Sequence, residues 1–149
     1  MNKKIALITG ISGQDGSYLS EYLLKKDYKV FGIVRRNSVP ENQWCRTEHL
    51  NDQIEVEYGD LSDASSLNRI LSLVNPDEIY NLAAQSHVRI SFDVPQFTVQ
   101  TNALGVMNLL EAYKYNCPKA RFYQASSSEM FGRSVEEDGY QRETTRMSR

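Results

Sequence analysis

Residues 5–16 read Ile5-Ala6-Leu7-Ile8-Thr9-Gly10-Ile11-Ser12-Gly13-Gln14-Asp15-Gly16, and a helical pattern follows directly. An apolar run of strand length, a glycine turn and then a helix form the arrangement that holds a dinucleotide pyrophosphate. Side chains are excluded where backbone must approach phosphate. The free N–H groups at the helix start, with the positive end of the helix dipole, then face the anion. The spacing is Gly-x-x-Gly-x-x-Gly, not the Gly-x-Gly-x-x-Gly of many dehydrogenases. A plain turn would use the same glycines. The place after a first strand and before a helix favours a nucleotide site.

Outward from this stretch, strand-like and helix-like segments alternate. Ile5–Thr9, Lys29–Val34 and Ile54–Tyr58 read as strands, as do 78–82 and 121–125. Between them, 17–26 places Leu19, Tyr22 and Leu23 on one helical face. Ala64–Val74 does the same with Leu67, Ile70, Leu71 and Val74, and stops before Asn75-Pro76. The long helix 102–116, carrying Leu104, Met107 and Leu110, ends at Cys117-Pro118. Strands separated by helices imply parallel pairing, because each crossover needs a helix-length connection. Near-continuous apolar strands fit a sheet covered on both faces. The expectation is an α/β fold with a doubly wound, Rossmann-like parallel sheet, over one domain spanning 1–149. Two stretches break the rhythm. One is the long connection 35–53. The other is the polar segment 126–149, which is either a tail or part of an active-site loop.

The 149 residues suffice for one domain with a core, and 40% hydrophobic with 24% charged content is ordinary for a soluble globular protein. A net charge of -2 gives no sign of a nucleic-acid surface or a polybasic membrane patch. No apolar run approaches the roughly 20 residues of a membrane helix. Met1-Asn2-Lys3-Lys4 leads into a run of strand length and reads as the approach to a first strand, not a signal peptide. Cys45 and Cys117 show no metal or redox spacing, and His49 and His87 have no acidic partner at ligand spacing. Two reduced thiols in a cytoplasmic protein and no metal site are expected.

In doubly wound sheets, ligands bind beyond the carboxyl ends of the strands. After the first strand stand the glycines with Gln14 and Asp15, the latter serving either the helix dipole or a cofactor contact. After the second stand Arg35 and Arg36, where NAD-specific sheets usually carry an acid for the ribose 2′-hydroxyl. Guanidinium groups suit the 2′-phosphate of NADP, and Asn37 and Ser38 can add hydrogen bonds to it. After the third comes Gly59-Asp60-Leu61. Asp60 can accept from an adenine amino group with Leu61 against the ring, or Asp60 or Ser62 can cap the next helix. After the fourth comes Leu82-Ala83-Ala84-Gln85-Ser86-His87. Its small residues let a ribose and pyrophosphate lie against backbone, and Gln85 and Ser86 face cofactor or substrate. After the fifth comes Ser126-Ser127-Ser128-Glu129, which suits either proton chemistry on a bound sugar or a turn with a helix cap.

Taken together, these segments resemble the extended short-chain dehydrogenase/reductase family. Thr9 to Leu19, the run Asn-Leu-Ala-Ala-Gln-Ser-His-Val over 81–88, and Phe122-Tyr123-Gln124-Ala125-Ser126 with the following Ser-Ser-Glu resemble three motifs of the GDP-mannose 4,6-dehydratases. The resemblance implies NADP as cofactor and GDP-mannose as substrate, converted to GDP-4-keto-6-deoxymannose. It implies that Glu129 removes the C5 proton and assists loss of the C6 hydroxyl. Ser127, where the family often has Thr, would hydrogen-bond the C4 oxygen. It implies cofactor contacts at Gly10, Ile11, Ser12, Gly13, Gln14, Asp15 and Gly16. Further contacts follow at Arg35, Arg36, Asp60, Leu61, Leu82, Ala83, Ala84, Gln85 and Ser86. Phe97 stands where family members often have Tyr beside the cofactor. A homotetramer of the full-length protein is also implied.

The family's Tyr and the Lys four residues later lie on the helix after this region, and no such pair follows Glu129. Tyr140 is succeeded by Glu143-Thr144, and Thr145-Arg146 replaces an expected Thr-Pro. The resemblance therefore implies an amino-terminal, truncated portion, lacking the carboxyl-terminal substrate domain and inactive by itself. The alternatives are another nucleotide-sugar epimerase or reductase of the family, and a short NADP-binding module without catalysis.

Overall fold

The computed structural model describes residues 3–36 and 46–148. Asn37, Ser38 and Cys45 lie outside the described residues. Five parallel strands, β1 (Ile5–Thr9), β2 (Lys29–Val34), β3 (Ile54–Tyr58), β4 (Glu78–Asn81) and β5 (Arg121–Gln124), form one sheet in the order β3-β2-β1-β4-β5. The chain leaves β1 toward β2 on one side and returns to β4 on the other. The carboxyl end of β1 is therefore the switch point of a Rossmann-like, doubly wound sheet.

Period-two alternation divides the core between two faces. Leu7 lies opposite Phe31 on β2 and Ile79 on β4. These three pack with Ile33 against α2 (Ala64–Val74) and α5 (Gly105–Asn116), through Leu67, Ile70, Leu71, Leu109 and Ala112. The alternate residues Ala6, Ile8, Val30 and Val34 face the other way, toward Ile11, Leu23 of α1 (Gln14–Lys25), and Leu50. Helices thus cover both faces. Continuous burial holds for β1 and β2 from their second residues onward. The outer strands differ from the expectation, since β3 keeps only Ile54 fully buried and β5 has no fully buried residue. Edge strands have one neighbour and need less apolar surface.

Several expected boundaries shift. The first helix begins at Gln14, because Gly13 already has the extended geometry of a cap (φ -74°, ψ 173°). The last two strands each end one residue earlier than expected. The long helix begins at Gly105. Ahead of it lie α3 (Val88–Asp93), α4 (Pro95–Val99) and a π-helical turn at Gln100–Leu104, none of which the sequence pattern announces. Segment 126–148 holds a single 3₁₀ turn at Ser128–Phe131.

Candidate active-site cleft

The glycine turn is built by exclusion. Gly10 has φ +69°, a left-handed conformation that favours glycine. A Cβ there would sit 2.9 Å from the backbone nitrogen of Ala83 and 3.0 Å from its Cα. At Gly16 a Cβ would collide with the Gly10 carbonyl and lie 2.7 Å from the Ile11 backbone. The Gly13 N–H donates to the Gly10 carbonyl at 2.9 Å, closing the turn. No side chain caps α1, so its first N–H groups point out of the turn with the positive end of the dipole. Asp15 stands in the first helical turn and also on the cleft wall, so both of its expected roles are compatible with its position.

Above this turn opens a cleft of about 750 Å³. Of the expected cofactor residues, Gly10, Ser12, Gly13, Gln14, Asp15, Gly16, Arg35, Asp60, Leu61, Leu82, Ala83, Ala84, Gln85, Ser86 and Phe97 all line it. Four strand ends therefore converge on one space. Two expected residues stand elsewhere. Ile11 is fully buried, packed over Gly32, where a Cβ would meet its side chain at 2.5 Å. It anchors the turn from below. Arg36 is exposed and off the cleft wall.

The floor is fixed by a network the sequence reading did not assign. The buried Thr9 hydroxyl donates to Asn81 Oδ1 at 2.5 Å and accepts from the Leu82 and Ala83 N–H groups at 3.2 and 3.1 Å. Asn81 Nδ2 donates onward to Gln124 Oε1 at 2.8 Å. The network locks the β4 exit against the glycine turn, which is why Ala83 lies so close to Gly10. A second clamp comes from the π-helical turn. Asn102 accepts from the Gln85 N–H and donates to its carbonyl, both at 2.8 Å. Gln85 Oε1 in turn accepts from the His87 N–H at 2.7 Å. His87, also on the cleft wall, caps α3 by accepting from Ile90 N–H at 3.4 Å.

Asp60 accepts from the Ser62 N–H and hydroxyl through Oδ1 at 2.8 and 2.7 Å. The cap of α2 is neither Asp60 nor Ser62 but Asp63, which accepts from the Ser65 and Ser66 N–H groups at 3.1 and 3.3 Å. At the exit of β5, Ser127 accepts from Glu129 N–H at 3.2 Å and caps the 3₁₀ turn. Ser127 and Glu129 are exposed and do not line the cleft. The Tyr-x-x-x-Lys spacing does occur twice earlier in the chain, at Tyr22–Lys26 and Tyr115–Lys119. Neither pair lines the cleft, and Tyr22 with Lys26 borders a separate hollow beside Lys3, Lys4, Tyr28 and Tyr80. Among the described residues no three His, Cys, Asp or Glu side chains group to hold a metal, and no helix is long and apolar enough to cross a membrane.

The fold is that of a doubly wound α/β protein with a cleft at its switch point. The family model for GDP-mannose 4,6 dehydratase matches residues 7–148, and the chain belongs to that family. It is 50% identical to the GDP-mannose 4,6-dehydratase of Vibrio cholerae serotype O1, over 97% of this chain and 40% of that protein. It is 51% identical to GDP-mannose 4,6 dehydratase 1 of Arabidopsis thaliana, over 87% of this chain and 39% of that protein. The chain thus spans about two fifths of the length of these relatives. Among solved structures, the Bordetella bronchiseptica enzyme WbmH in complex with NAD+ superposes with a TM-score of 0.73 at 27% identity, over 97% of this chain and 48% of that one. UDP-glucose 4-epimerase from Bifidobacterium longum, at 22% identity, shares the fold with a TM-score of 0.81, over 97% of this chain and 43% of that one.

Proposed function

We propose that residues 1–149 form the NADP-binding domain of a GDP-mannose 4,6-dehydratase, a lyase that converts GDP-mannose to GDP-4-keto-6-deoxymannose and water. The observation that carries the reading is the glycine-walled cleft at the end of β1 with Arg35 on its border. The residues present fit a dinucleotide. Gly10 and Gly16 let the turn pack tightly against the β4 exit and its own backbone, the uncapped start of α1 offers N–H donors, and Ala83 and Ala84 leave space for a ribose. Asp60 would accept from the adenine amino group through its Oδ2, with Leu61 against the ring. Arg35, with Arg36 beside it, would take the 2′-phosphate. When bound, NADP supplies a reversible hydride acceptor, so that loss of water proceeds without net oxidation. Glu129 would carry the C5 proton to the departing C6 hydroxyl, and Ser127 would hydrogen-bond the C4 oxygen. The carboxylate directly after the serines favours dehydration over epimerisation. A homotetramer of a longer chain in the cytoplasm belongs to the same proposal.

Calorimetric titration with NADP and NAD tests the cofactor assignment. The expected result is tighter NADP binding that Arg35→Leu reduces to the NAD level. A preference for NAD overturns it. Among the described residues no Tyr-Lys pair lines the cleft, so this chain should show no GDP-mannose turnover. Clear product formation would refute the need for that pair.

A further inference from the structure

Gly105 and Asn108 stand one turn apart on the same face of α5, and both meet a single residue, Leu61. Asn108 Nδ2 donates to the Leu61 carbonyl at 2.9 Å. Among the described residues that carbonyl accepts from no backbone N–H. A Cβ on Gly105 would lie 2.7 Å from the Leu61 Cβ, so glycine lets the start of the helix close over this residue. Leu61 is buried in the same cluster as Leu67 and Leu109, yet it borders the cleft beside Asp60. Gly105 and Asn108 do not line the cleft. Resting on the adenine contacts proposed above for Asp60 and Leu61, we infer that Asn108 is a positioning residue for the base of the coenzyme, acting through the backbone of Leu61. The rest of this loop is held by its own flanks. The Gly59 N–H donates to the Val34 carbonyl at 3.0 Å, the Asp63 N–H to the Asp60 carbonyl at 3.0 Å, and the Asp60 N–H to Ser66 Oγ at 3.3 Å. The Asn108 bond ties it to α5 as well. That bond fixes the depth of Leu61, and so the height at which a ring resting on Leu61 meets the Asp60 carboxylate. A seat set in advance lowers the ordering cost of binding. A carboxylate placed to accept from an amino group rejects a base that carries a carbonyl there instead. Asn108 should therefore raise the preference for adenine over hypoxanthine.

The test is the ratio of affinities for NADP and for its hypoxanthine analogue on the whole chain, by calorimetry, in wild type, Asn108→Leu, Gly105→Ala, Asp60→Ala and the Asp60→Ala, Asn108→Leu pair. Asn108→Leu keeps the volume and deletes the donor. It should lower the ratio about three- to tenfold, the loss of one hydrogen bond. Gly105→Ala, which displaces Leu61 without touching the amide, should lower it in the same direction. In the Asp60→Ala background Asn108→Leu should change the ratio no further, because both act on one contact. An unchanged ratio in Asn108→Leu or Gly105→Ala while Asp60→Ala collapses it, or a further fall in the pair, overturns the inference and leaves the adenine contacts standing. An unchanged ratio in Asp60→Ala overturns those contacts themselves. A second measurement needs no variant. If the Asn108 bond favours the seated base, the seated base favours the bond to the same degree. By nuclear magnetic resonance, saturation with NADP should slow hydrogen exchange of the Asn108 side-chain amide more than that of Asn116, whose Nδ2 donates to the Ala112 carbonyl at the far end of the same helix. Equal slowing of the two, or none, overturns the inference.

Discussion

Gly16 and Thr9 show how single atoms set the cleft. A methyl group at Gly16 meets the Gly10 carbonyl and the Ile11 backbone, and rigid backbone cannot yield as a flexible side chain can. Gly16→Ala should abolish dinucleotide binding in calorimetry while a folded circular dichroism spectrum persists. Retained affinity would remove the glycine turn from the site. Thr9→Val keeps shape but deletes the hydroxyl. The Leu82 N–H still has the Thr9 carbonyl at 3.3 Å, whereas the Ala83 N–H and Asn81 Oδ1 lose the Thr9 hydroxyl as partner. Unpaired buried polar groups cost about 1–3 kcal/mol each. Thr9→Val should lower the denaturation midpoint accordingly, and Thr9→Ser should recover most of the loss. A stability equal to wild type in Thr9→Val would show that the hydroxyl holds nothing in place.

Helix α2 illustrates the scale of the element. Its apolar stripe explains burial, but its ends are set by Asp63 at the start and by Asn75 in a left-handed conformation (φ 43°) at the finish. Hydrogen bonds from the Ser65 hydroxyl, and then from the Ser66 and Ser65 N–H groups, hold the Asp63 carboxyl below its ordinary value. A carboxyl depressed in the folded state stabilises once ionised, and that contribution drains away as pH falls through the folded value. Thermal melts across the acid range should therefore fall less steeply for Asp63→Asn, which caps without titrating, than for wild type. Parallel curves would remove the carboxylate from the helix end. The same element shows what a sequence discloses. The stripe of α2 is periodic and the apolar runs of β1 and β2 are continuous, and their observed ends match the expected ones. By contrast, Val88, Ile90, Phe92 and Val94 alternate as a strand would, yet α3 forms there with Val88 and Phe92 exposed. The His87 cap and Pro95 at the start of α4 override the period. The glycine turn was legible because steric exclusion leaves its mark in residue type. The clamps at Thr9, Asn81 and Asn102 were not, because their partners stand 72 or 17 residues away. Ser127 and Glu129 stand out in the sequence by motif alone, and they sit in an exposed turn.

Across the whole molecule, large apolar side chains reach the surface on several elements. The helix packed on β1 and β2 exposes Tyr18 (62%) and Tyr22 (56%), and β5 with the segments leading into and through α5 presents Phe92 (80% exposed), Met107 (61%) and Tyr123 (53%). β5 pairs with β4 alone, so among the described residues its outer edge carries no strand partner. Exposed apolar side chains and an open strand edge together favour association of separate molecules. The cysteine on this side does not add covalent links readily. Burial pushes the Cys117 thiol up to about 11, and the neutral thiol is a poor nucleophile. Association through the β5 side should therefore be hydrophobic and reversible. Sedimentation velocity over a concentration series should show self-association, accompanied by binding of a hydrophobic fluorophore. A lysine at an exposed edge position opposes strand addition by charge, so Tyr123→Lys should shift the distribution toward the monomer without lowering NADP affinity, since Tyr123 is not on the cleft wall. A strictly monomeric wild type at every concentration, without fluorophore binding, would show that the β5 side is inert as it stands.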